Sequence, residues 1–261
     1  MNQTYKLSQQ EVALCALGLL ALLVAIFAPA VAQPANAHDF ADRRVLLGLP
    51  FAMDVLSNLP FAFVGLLIAW RLSHAKLAIG LVQRVFSAVF LVGLLVTAVA
   101  SSGYHLQPDD TGLLWDRVAM AVAFAGVMAL AVAGRLGDRA GLCVGLGLLV
   151  LAPAAALYWA ATANILPWAI AQFGGMALIL WMSFLAPLPG ALRVRWGAVI
   201  ACYAVAKVFE VADHPIYELT GQMLSGHTLK HVAASFAAWP VVAALREAAQ
   251  AAQARQNATT A

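Results

Sequence analysis

Residues 140–192 carry not one charged side chain. A water-soluble fold has no surface to make from such a run. The run also exceeds the roughly 20 apolar residues that one helix needs to cross a bilayer. Asn164 and Pro167 lie near its middle and divide it into two spans, 140–161 and 165–185. Six more apolar stretches flank it, at 12–32, 49–70 (broken only by Asp54), 85–104, 113–134, 196–211 and 226–245. The chain therefore reads as an all-α integral membrane protein with eight spans. Its 63% hydrophobic and 10% charged residues, against about 45–50% and about 25% in soluble domains, exclude a soluble enzyme. Cys15, Cys143 and Cys202 each sit inside an apolar run and form no CxxC pair. They read as small buried hydrophobes, not a disulfide framework.

Three regions follow: an N-terminal helix in residues 1–32, a seven-helix domain in 33–246 and a polar tail, 247–261, expected to be disordered. The first span has a rival reading. A basic start, an apolar stretch and Ala30-Val31-Ala32 resemble a cleaved signal peptide, but the stretch is longer than the usual 7–15 apolar residues. A retained helix is the expectation.

Loop charges set the topology, because Lys and Arg in short loops favour the cytoplasm. With eight crossings, Lys6, Arg71, Lys76, Arg84, Arg135, Arg139, Arg193, Arg195, Arg246 and Arg255 all fall on one side. The other side keeps Arg43, Arg44, Arg117, Lys207 and Lys230 with nine of the twelve acids. Both termini are predicted cytoplasmic. In a bacterial host this is the inner membrane, with the acidic face in the periplasm. No nucleic-acid partner is expected, and the oligomeric state is left open.

The acidic face collects the chemistry. Four span ends meet there: Ser101 to His105, Trp115-Asp116-Arg117, Ser225 to His231 and Asp54 to Asn58, with residues 106–112 expected as a loop. His227 and His231 are four apart, so they share one helix face. A catalytic zinc takes three protein ligands and leaves a position for water, and His105 supplies the third. Asp116 is placed to orient or deprotonate a water whose pKa a metal lowers toward about 7. Ser101, one turn before His105, is placed to donate to a developing oxyanion. Ionisable groups at membrane depth tend to mark function. The bland alternatives are interfacial histidines, which is the reading for His38, His74 and His214, and an Asp116–Arg117 ion pair.

Ser101-x-x-x-His105, Asp116 eleven residues on, and Gly-His227-x-x-x-His231 opening the last span resemble the alkaline ceramidase family. That family belongs with the progestin and adiponectin receptors among seven-helix membrane hydrolases. The resemblance extends over about residues 39–245. It implies a seven-helix bundle of the ceramidase type plus one extra N-terminal helix, zinc on His105, His227 and His231, and Ser101 and Asp116 beside it. It implies hydrolysis of the linear amide of a ceramide-like N-acyl lipid entering from the bilayer, with 140–192 as an apolar wall for the acyl chain. Animal members also carry an acidic calcium-binding segment before their first span. Asp39-Phe40-Ala41-Asp42 resembles its start, so Asp39, Asp42 and Asp54 are the possible calcium ligands. Arg43 and Arg44 beside them repel a cation, Phe51 stands where an acid belongs, and calcium prefers 6–8 oxygens, all of which weigh against that ion. Two other readings keep the histidines without amide hydrolysis. One is a non-catalytic seven-helix receptor with a structural zinc. The other is a b-type haem protein with axial His ligands from different helices, which leaves Ser101 and Asp116 unexplained.

Overall fold

The computed structural model describes residues 6–260, and among them every regular element is a helix. The order is α1 (Gln9–Phe27), α2 (Ala52–Leu56), α3 (Leu59–His74), α4 (Leu81–Leu106), α5 (Asp110–Leu136), α6 (Asp138–Thr162), α7 (Leu166–Phe184), α8 (Trp196–Val211), α9 (Asp213–Leu219), α10 (Gly226–Phe236) and α11 (Trp239–Thr260). Seven helical segments are long and apolar enough to cross a membrane, with α2–α3 and α10–α11 each counted as one. The protein is thus an all-α, multi-pass membrane protein. The remaining expected span, α8, has 16 residues, about 24 Å at 1.5 Å per residue.

Helix α5 is the hub, packing most extensively against α4 and α6. Its residues explain why. A Cβ on Gly126 would stand 2.5 Å from the Phe90 backbone nitrogen, and one on Gly93 of α4 would stand 2.3 Å from that of Ala123. Small residues at both positions let two backbones approach, which is how helices associate where lipid removes the hydrophobic driving force.

Two spans are broken. α2 stops at Ser57-Asn58 before α3, which has Pro60 at its second position, and α10 stops at 237–238 before α11, which has Pro240 there. Proline lacks the N–H that would continue the preceding turn. Both breaks turn polar or small residues inward within one crossing.

Three sequence expectations change. The loop at 106–112 contracts, because Asp109 accepts from the Gly112 N–H (2.6 Å) and caps α5 at Asp110. The tail is helical to Thr260, since its alanines are the strongest helix formers. Cys15 and Cys143 are exposed on the outer, lipid-suited faces, not buried.

Candidate metal centre

The start of α10 carries two of the three histidines and is the most heavily held point of the bundle. Ser225 caps it, accepting from the Thr228 N–H (2.9 Å). Asp213 Oδ1 accepts from the His227 N–H at 2.7 Å, and its Oδ2 accepts from the Ala41 N–H at 3.0 Å. Asp54 Oδ1 accepts from the hydroxyls of Thr228 (2.6 Å) and Ser225 (3.3 Å). Two carboxylates at one helix N-terminus oppose its exposed N–H groups and positive dipole end. Gly226 is required here, since a Cβ would come within 2.3 Å of the Phe209 carbonyl oxygen.

His105, His227 and His231 are all buried, and their ligand atoms lie within 4.8 Å of one another. Among the described residues no other cluster of three His, Cys, Asp or Glu can hold a metal. The nitrogens also offer the right lone pairs. Ser57 donates its hydroxyl to the Asp54 carbonyl (2.9 Å), so at 2.7 Å it accepts from His231 Nδ1–H. A neutral imidazole protonated at Nδ1 keeps its lone pair on Nε2. His227 Nε2 faces the Lys230 ammonium at 3.1 Å, so it too is an acceptor toward a cation. His227 Nε2 and His105 Nε2 are 3.3 Å apart. Two nitrogens on a tetrahedral zinc would stand about 3.3 Å apart. The donor set therefore fits zinc, provided that Lys230 gives up the His227 Nε2 lone pair that the metal would take.

His227 and His231 border a cavity of about 690 Å³, with His105 packed behind them. Its wall also carries Asp116 and Ser101, both buried. Asp116 Oδ1 has no hydrogen-bond partner, while the Ser101 hydroxyl neighbours the same carboxyl. No carboxylate stands within ion-pair distance of Arg117 among the described residues, so the expected alternative of an Asp116–Arg117 pair is not what forms. Deeper in, the wall is apolar, from Phe61, Phe90 and Met120 to Met176, Ile179 and Ala238.

The acids proposed for calcium are not brought together. Asp39 pairs with Arg43, and Asp42 binds Arg44 through two contacts (2.5 and 2.8 Å), which also raises the Arg44 pKa. Asp54 serves α10 instead. Asp39 and Asp42 are each engaged by an arginine that a cation would have to displace, whereas Asp54 binds Thr228 and Ser225 through Oδ1 and leaves Oδ2 unpartnered.

The sequence reading missed how residues 28–51 behave. They cross the mouth of the bundle as a strap. Phe40 is buried edge-on against His105 (4.7 Å between centroids) and His227 (4.5 Å). His38, read as merely interfacial, bonds Tyr104 Oη (2.8 Å) and Asp110 (3.1 Å), tying the strap to α4 and α5. Asp213 escaped notice too, although an acid at the end of a span was its available signal. No protein-family model matches the chain, and no curated protein matches it.

Proposed function

We propose that the protein is a zinc-dependent membrane amidase of the alkaline ceramidase type, which cleaves a ceramide-like N-acyl lipid to fatty acid and amine. The observation that carries this reading is a buried three-histidine cluster, two of whose members line a cavity with an apolar depth that Asp116, with an unpaired carboxylate oxygen, also lines. His105, His227 and His231 would hold the ion. Bound zinc supplies a Lewis acid that polarises the amide carbonyl and acidifies water.

The chain's own residues do the rest. Asp116 Oδ1 takes a proton from the attacking water and passes it to the leaving amine nitrogen, so water is divided between acid and amine. Ser101 has one O–H and two acceptors in reach of its role: the Asp116 carboxylate, which it orients, and the oxygen that gains charge as the carbonyl is attacked. Phe40 and the strap keep bulk water off the histidines. The apolar wall receives the acyl chain from the bilayer. In this reading the bundle is seven ceramidase-type helices plus α1, which stays attached: Val31, just ahead of the possible cleavage point, bonds Asn164 and Ile165. The site faces the periplasm of a bacterial inner membrane, with both termini cytoplasmic.

The test is metal analysis of detergent-purified protein together with hydrolysis of a fluorescent ceramide analogue. One zinc per chain and release of fatty acid are expected, both lost in His227→Ala. Zinc without turnover on any N-acyl lipid leaves the receptor reading. Orientation is read separately, in protein whose three native cysteines are replaced. A cysteine at Asp109 should be labelled in intact cells by a membrane-impermeant thiol reagent, and one at Ala75 should not.

A further inference from the structure

Arg117 is a buried positive charge that makes no direct ion pair; the acids that act on it, Asp116 first, stand beyond salt-bridge distance. It sits seven residues into α5, about 10 Å from the helix start at 1.5 Å per residue, and is 7% exposed. Its Nη2 donates to the Gln33 side-chain oxygen at 2.7 Å. Its guanidinium lies over the Trp159 ring at 4.0 Å, with Trp168 at 5.9 Å. Nη1 is buried and has no partner. A neutral amide oxygen and two indole faces soften the charge, but neither cancels it. A charge away from water is expensive without a direct partner, and inside a membrane protein such a group tends to mark a functional site.

Arg117 lines the same cavity as His227, His231 and Asp116. Apart from Asp116, the acids on that wall each have other partners at bonding distance. Lys207 and Lys230 share a single acid, Glu210. Asp213 is spent on two backbone N–H groups, and Asp39 on Arg43. Asp116 is close in sequence but makes no ion pair with Arg117. The cavity wall therefore holds three cations, Arg117, Lys207 and Lys230, and four acids, none of which makes a direct ion pair with Arg117.

We infer that Arg117 receives an oxyanion, carboxylate or phosphate, carried on the amine half of the N-acyl lipid. The preferred substrate is then an anionic N-acyl lipid and not a neutral ceramide. This rests on the amidase reading for what happens to the lipid, but not for where it binds. The planar guanidinium offers its free Nη1 beside an already anchored Nη2, so the fork is held in place before the ligand arrives. Gln33 comes from the strap, so the strap helps to aim it.

The experiment compares three amides of equal acyl length: N-lauroylglycine, N-lauroylethanolamine and the O-phosphate of the latter. Equilibrium binding to zinc-loaded protein in maltoside micelles is measured by calorimetry, with turnover followed in parallel. Wild type should bind at least one anionic amide about tenfold or more tighter than the neutral one, the size of one charge-assisted hydrogen bond. Arg117→Gln should erase that preference while holding N-lauroylethanolamine within about twofold, and Arg117→Lys should keep part of it. Which anion gains more tells carboxylate from phosphate. The inference is overturned if wild type shows no charge preference, or if Arg117→Gln at full zinc content weakens all three amides equally. Should Arg117→Gln fail to fold, the wild-type preference and its reduction in Arg117→Lys decide. Charge-selective binding without turnover upholds the anion site and sinks the amidase. Turnover of the neutral amide with no charge preference does the reverse.

Discussion

Helices α1 and α5 are both apolar enough to cross a membrane, yet 78% of the most apolar stretch of α5 is buried in the bundle and only 6% of that of α1. Hydropathy cannot separate them, because lipid is as apolar as a protein core. What separates them is shape and charge. α5 alternates small residues, Ala119, Ala121, Ala123, Ala125 and Gly126, on the faces it turns to α4 and α6, and it carries Asp116 and Arg117. α1 has bulky residues all round, with Leu17, Leu19, Leu20, Ile26 and Phe27 exposed. In a membrane, close approach needs small residues and ionisable groups need an interior. The working helix is the one with less side chain and more charge.

The largest effect that sharpens this contrast is chemical. Asp116→Asn is close to isosteric and leaves all three histidines in place, so zinc should be retained. Turnover of an N-acyl lipid should fall by about 10²–10⁴, the usual cost of removing a general base. An Asp116→Asn protein with zinc and wild-type turnover removes α5 from the mechanism. Loss of zinc as well makes the carboxylate part of the metal site.

Next comes Ser57→Ala, at the break between α2 and α3. It deletes the acceptor that fixes His231 Nδ1–H. Outer partners of metal-bound histidines are worth about 10–100-fold in metal affinity, and competition with a chelator should show a loss of that size. Unchanged affinity would mean that His231 is held by its packing against Phe61 alone.

Packing gives the third. Gly126→Val forces a side chain into the Phe90 backbone, and overpacking of this kind costs about 1–3 kcal/mol. A lower thermal midpoint is expected, with turnover per zinc-loaded molecule nearly unchanged. If the midpoint holds, α4 and α5 are less tightly apposed than their glycines imply.

Much of this was legible in the residues and some was not. The i, i+4 spacing of His227 and His231, joined to loop charges that put four span ends at one face, led to the cluster that forms. The helical spans were visible too, because uncharged runs have few alternatives in a membrane, and seven of the eight expected are long and apolar enough to cross one. Phe40, Ser57 and Asp213 were not visible as site residues. Phe40 acts because the strap folds over the mouth, Ser57 because Pro60 breaks a span, and Asp213 because α9 brings it under α10. Each depends on a tertiary event with no periodicity of its own. For the acids at 39, 42 and 54 the residues already spoke against calcium, and Arg43 and Arg44 do engage Asp39 and Asp42. The tail misled by composition, since its glutamines, Arg255 and Asn257 are polar enough to suggest fraying while its alanines are strong enough helix formers to prevent it.

The smallest predicted effect is the one that can break the comparison. Gly18 is the counterpart of Gly126 on α1, but a Cβ there meets nothing within 4 Å. Gly18→Val should therefore leave the thermal midpoint, the zinc content and turnover unchanged, within about 0.5 kcal/mol for an outward-facing site. A point substitution is a cleaner probe than removing α1, because losing one crossing would change which side of the membrane the strap starts from and confound packing with topology. α1 touches the rest of the bundle mainly through α7, so a null result localises the fold's stability to the helices around α5. A destabilisation matching that of Gly126→Val would mean that the bare face of α1 is packed in the membrane after all. A second copy of the chain would then have to cover it, since no helix of the same chain does. Cross-linking through Cys15, exposed on the same helix, would distinguish that assembly from a protein whose α1 simply faces lipid.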